Sequence, residues 1–144
     1  MAQTAEAVKK ARPGENMRLI DALGYRLPLA GIVSILHRAS GLVMFVLLPF
    51  IIWMFDTSLT SEITYSQFTS VFNSGVGFVP GIVFKFIALA LIWAYLHHFM
   101  AGLRHLWMDA THAVTLEFGR QSAVVTLAAS ALLTLALGVK LFFF

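Results

Sequence analysis

The chain has 144 residues, a formal net charge of +3 and no cysteine. Hydrophobic residues make up 59% and charged residues 12%, with a mean hydropathy of +0.83. A soluble domain of this size is roughly a quarter charged, so lipid must solvate much of this apolar surface. Lack of cysteine excludes disulfides, thiolate-held iron–sulfur clusters and c-type haem attachment within the chain. The charge reads as membrane orientation, not as a nucleic-acid surface.

Residues 1–28 form a polar, basic N-terminal segment with Lys9, Lys10, Arg12, Arg18 and Arg26. No apolar run follows the first basic residues at signal-peptide distance, so no cleaved signal is expected. Residues 17–23 could form a short interfacial helix. Pro28 suits the first turn of a long helix. A first span is expected over 29–55. Its uncharged part, 39–55, falls short of the roughly 20 residues a span needs, so Ser34, His37 and Arg38 must lie inside its end. Pro49 should kink it and free the Phe45 carbonyl.

Residues 56–80 read as a loop rich in Ser, Thr and Gly, with Asp56 and Glu62 but no Lys or Arg. A second span follows over 81–108, with Lys85 able to snorkel. Residues 109–120 read as a short polar loop with His112, Glu117 and Arg120. A third span covers 121–143. The expected fold is an all-α membrane protein of three transmembrane helices. Basic residues flank the N-terminus and the second loop, which puts the N-terminus in the cytoplasm and the C-terminus on the periplasmic side. Thr126, Ser130, Thr134 and Gly138, spaced by four, form a small-residue packing seam. Its mate can equally be a helix of this chain or of a partner.

The second span carries the chemistry. Residues 93–109 include three histidines, Arg104 and Asp109 in an apolar run, and such groups are costly in a bilayer. A 3.6-residue repeat puts His98, Gly102, His105 and Asp109 near one face, and His97 with Arg104 on another. His98 lies about 9 Å deeper than Arg104 and about 16 Å deeper than Asp109. It can hydrogen-bond a neighbouring helix, or it can be an axial ligand to haem iron. Ala94, Ala101 and Gly102 leave room beside it for a flat macrocycle, whereas Trp93 and Met100 crowd His97. Arg104 is set shallower, where it could meet a carboxylate or propionate. On the first span Ser34 and Arg38 share a face that Gly41 continues. Arg38 either snorkels to headgroups or joins Ser34 in donating to a ligand with a carbonyl or carboxylate.

Ser34-x-x-His37-Arg38-x-Ser40-Gly41 and His98-x-x-x-Gly102-x-Arg104-His105-x-x-x-Asp109 together resemble the two signatures of the cytochrome b membrane-anchor subunit of succinate dehydrogenase, respiratory complex II. The resemblance runs from about Arg12 onward, with 56–80 and the third span matching only in character. It implies a multi-pass subunit of the bacterial inner membrane, packed with a second anchor subunit, an iron–sulfur subunit and a flavoprotein. It implies a b-type haem shared between the two anchors, with His98 as this chain's axial ligand and His37, Arg38 and Arg104 near the propionates. Ser34 and Arg38 fall at the ubiquinone site. His105 and Asp109 take structural or proton-relay roles; His97 and His112 lie outside the pattern. Dehydrogenase chemistry is not expected here, since no nucleotide-binding fingerprint is present. The alternatives are an anchor of a quinol:fumarate reductase, and a haem-free transporter or proton-relay subunit using His98, His105 and Asp109. Direction of catalysis, quinone identity, the second haem ligand and any higher oligomer lie beyond the sequence.

Overall fold

A computed structural model describes residues 27–143. The expected N-terminal segment and its interfacial helix at 17–23 lie outside the described residues. Within them the fold is all helix: α1 (Leu29–Val46), α2 (Leu48–Leu59), α3 (Glu62–Asn73), α4 (Gly81–Thr111) and α5 (Leu116–Phe143). α1, α4 and α5 are long and apolar enough to cross a membrane, and the chain is membrane-integral.

Pro28 precedes α1 in extended conformation, and its carbonyl receives the amides of Gly31 and Ile32. α1 ends at Leu47 (φ −89°, ψ 7°), and α2 starts one residue later with Pro49 in its first turn. Proline has no N–H for the Phe45 carbonyl and its ring crowds that position. The expected kink is therefore a full interruption, two residues ahead of the proline. α1 alone is about 27 Å long, close to the thickness of a hydrocarbon core, and α2 carries the chain on from its end.

The stretch read as a loop, 56–80, contains a helix. Ser61 caps α3: its Oγ accepts from the Thr64 amide at 3.2 Å, and Thr64 Oγ1 accepts from the Ser61 amide at 3.0 Å. Phe68 and Phe72, in edge contact at 5.1 Å between centroids, form part of its apolar side. A tight turn follows. Gly75 (φ +89°) is obligatory there, because a Cβ would run into the Val79 carbonyl. A Cβ on Gly81 would meet the Phe72 carbonyl, so α3 docks against the start of α4 at backbone distance.

α4 ends at His112, which adopts left-handed backbone (φ 55°) as a helix stop. It runs three residues past the expected end of the second span, and α5 starts five residues earlier than expected. The polar connection shrinks to 112–115. α1, α4 and α5 pack pairwise. Their contact is made by small side chains: Val33, Ala101 and Ala123 are fully buried, with Leu29, Ala30 and Leu127 against them. Large apolar side chains such as Leu42, Phe45, Phe86, Leu132 and Leu135 point outward, as a lipid-solvated bundle requires.

Candidate functional site

Two faces of α4 do different work. Ala94, His97, Ala101 and Arg104 recur at three- and four-residue spacing, and all are buried. This stripe faces α1 and α5. His97 is 0% exposed. Its Nδ1 lies 3.2 Å from Ser130 Oγ on α5, and its ring stacks on Trp93 at 5.6 Å. Its Nε2 is buried and makes no hydrogen bond among the described residues. His97 is thus the polar centre of the bundle. The clue to this was its register with Ala94 and Ala101, which sequence reading assigned to His98.

That assignment is corrected. Ala94 and Ala101 are closed off by helix packing and leave no room for a macrocycle. Gly102 alone of the three has open space where a side chain would be.

His98 lies on the second face, beside α1. Its Nδ1 is 3.0 Å from the His37 carbonyl. A carbonyl only accepts, so Nδ1 carries the proton and Nε2 is left with its lone pair. Ser40, fully buried, donates its hydroxyl to the same carbonyl at 2.8 Å and lies 3.3 Å from His98 Nδ1. Gly41 allows the approach: a Cβ there would stand 3.1 Å from His98 Cε1. Ser40 and Gly41 come three and four residues after His37, one turn further along α1, so these three residues together set the height, rotation and tautomer of the imidazole. The signal for this role in the sequence is the spacing of three between His37 and Ser40.

The His37 ring lies 4.1 Å from that of His98 and 5.5 Å from that of His105. Among the described residues no group of three or more His, Cys, Asp or Glu could hold a metal ion, so the three imidazoles are not a self-contained metal cage. His105 and Asp109 are exposed. Ser34 is half-buried and Arg38 exposed on the same side of α1. Arg104 goes elsewhere: its Nε donates to Ser122 Oγ at 2.9 Å and its Nη2 to the Gly119 carbonyl at 3.3 Å. Six residues from His98, it points about 120° away around α4.

The donor set fits a single axial imidazole. A haem iron wants a neutral imidazole whose other nitrogen is held by an outer acceptor, and His98 with the His37 carbonyl is such a pair. The His98 face is also the outside of the bundle, flanked by exposed Tyr95, Phe99 and Leu106. A membrane-integral helix bundle with such an imidazole on its open side suits an anchor-type subunit of a larger complex. The sequence relatives agree: the chain belongs to the succinate dehydrogenase/fumarate reductase transmembrane subunit family, whose model matches residues 18–137. It is 32% identical over 120 residues to the succinate dehydrogenase cytochrome b556 subunit of Paracoccus denitrificans, covering 83% of this chain and 87% of that one. The subunits of the same name from Coxiella burnetii (28% over 121 residues, 83% and 91% covered) and Rickettsia felis (24% over 139 residues, 96% and 100% covered) are also similar.

Proposed function

We propose that this chain anchors a succinate:ubiquinone oxidoreductase in the bacterial inner membrane. In this reading it gives His98 as one axial ligand of a b-type haem shared with a second anchor, and Ser34 and Arg38 to the site of ubiquinone reduction. The second anchor, an iron–sulfur subunit and a flavoprotein complete the assembly. The observation that carries the reading is the His98 Nδ1 hydrogen bond to the His37 carbonyl, which leaves Nε2 a bare donor atom on an outward face.

When bound, the haem supplies one-electron redox capacity between the anchors. This chain's residues supply the rest. His37 and Ser40 hold the imidazole; Gly41 keeps its path clear. Quinone reduction takes up two electrons and two protons. The Arg38 guanidinium donates to a quinone oxygen and stabilises negative charge developing on it, as charge-assisted donors do. The Ser34 hydroxyl donates to the other quinone oxygen or to a nearby water. Neither side chain makes a hydrogen bond among the described residues, so both are available to a ligand. His37 and Arg38 are the candidates for the propionates. Arg104 points about 120° around α4 from His98 and bonds Ser122 and Gly119 on α5, which favours His37 and Arg38 over it for that role.

The three similar subunits carry the succinate dehydrogenase name, which favours succinate oxidation over fumarate reduction. A proton relay through His98 needs an Nδ1 proton free to move, and that proton is committed to a backbone carbonyl. The test is purification in mild detergent with a visible spectrum and identification of co-purifying chains. In the assembled complex His98→Ala is expected to abolish the haem band; an unchanged spectrum rejects the ligand assignment. Arg38→Leu is expected to lower quinone reduction by about one to two orders of magnitude, the scale of one lost charge-assisted donor. Succinate oxidation with a soluble dye should persist. Equal loss of both activities removes Arg38 from the quinone site.

A further inference from the structure

Arg104 is 9% exposed, and its hydrogen-bond partners, a hydroxyl and a carbonyl, are neutral. Its Nη1 makes no hydrogen bond among the described residues. A guanidinium cannot shed its proton, and a cation at this depth is costly without an anion. It lines an open groove of about 410 Å³ between α4 and α5. Trp107, Phe118 and Gln121 border the groove towards the helix ends; Met100, Val125 and Thr126 border it towards the membrane centre.

Depth identifies the occupant. α4 has 31 residues, about 46 Å, against a hydrocarbon core about 30 Å thick. Centred, it projects about 8 Å at each end. Arg104 is seven residues from its C-terminal end, about 10 Å, so its Cα lies about 2 Å inside the edge of the hydrocarbon core, and its guanidinium, bonded to Ser122 and Gly119 near the start of α5, is turned towards the glycerol and phosphate layer just above. Trp107, one turn nearer the end, suits the same interface.

We propose that this groove holds an anionic phospholipid, its phosphate on the Arg104 guanidinium and one acyl chain running past Met100 and Val125. The fit is one of charge and shape: a buried cation just below the headgroup layer, opening on an apolar slot that leads inward. The site lies about 120° around α4 from His98 and stands independently of the haem and quinone reading.

The intact complex is exchanged into phosphatidylcholine nanodiscs doped with phosphatidylglycerol, re-extracted in mild detergent and weighed by native mass spectrometry. The natural protein is expected to retain phosphatidylglycerol in preference to phosphatidylcholine. Arg104→Gln should lower that retention about tenfold, the loss of one charge-assisted contact, and Arg104→Lys should restore part of it. Val125→Trp fills the slot and leaves the cation in place; it should also lose the lipid while the visible spectrum and dye-linked succinate oxidation stay unchanged. If Arg104→Gln does not assemble, Val125→Trp decides. No retained lipid in the natural protein, equal retention by both variants, or loss of quinone in place of lipid overturns the proposal. His98→Ala, which removes the haem, is expected to keep the lipid, so the two readings fail separately.

Discussion

Gly41 is where a single atom matters most. A Cβ there would lie 3.1 Å from His98 Cε1, tighter than ordinary van der Waals contact, and 3.4 Å from its Nδ1. Gly41→Ala should push the imidazole by a few tenths of an ångström, and Gly41→Val should displace it from the His37 carbonyl. Haem per complex, read from the visible spectrum against flavin, should fall from natural protein to Ala to Val. Full occupancy in the valine variant would mean that His98 is not held at this spot. Adjacent residues on α4 show how fine the assignment is. His97 and His98 have the same chemistry, yet one is sealed against Ser130 and the other turned outward. Helical periodicity alone separated them, because 100° per residue moves neighbours onto different faces. Periodicity could not say which of those faces was inside. That needed the positions of α1 and α5, and so the alanines were first assigned to the wrong histidine.

Between elements, the seam on α5 joins helices of one chain. Thr126, Ser130 and Gly138 are buried, and a Cβ on Gly138 would come within 3.0 Å of Leu89 Cδ1 on α4. Ser130→Ala leaves His97 Nδ1 without its partner. Interhelical hydrogen bonds in membranes contribute about 1 kcal/mol, so the midpoint of thermal dissociation of the complex should fall by a few degrees. An unchanged midpoint would make the contact incidental. α3 escaped sequence reading because its stabilising features are local and polar: a Ser61–Thr64 capping box on a segment with few aliphatic residues. Ser and Thr signal loops as readily as caps. Pro49 was legible as a disturbance because its chemistry is local, a missing N–H. Whether it would bend the helix or divide it depended on what α2 packs against, namely α3.

At the scale of the molecule, the described residues leave open both the lipid-facing side of α5 and the imidazole face of α1 and α4. The second is the one a partner anchor would cover in the proposed complex. Orientation is testable without background, since the chain has no cysteine. Ser66→Cys, exposed on α3, should react with a membrane-impermeant maleimide added to the periplasmic side of spheroplasts. His112→Cys, between α4 and α5, should react only after lysis. The reverse pattern would invert the positive-inside assignment and with it the cytoplasmic location proposed for the quinone site.

Membrane residence, the number of crossings and the separate faces of His97 and His98 were determined by the amino-acid order, for each follows from local hydropathy or from a fixed helical repeat. The mate of the α5 seam, the sealing of Ala94 and Ala101, the turn of Arg104 towards Ser122 and the carbonyl that orients His98 were settled only by the fold. Each depends on which helices lie side by side, a pairing between residues far apart in the chain that no local repeat encodes.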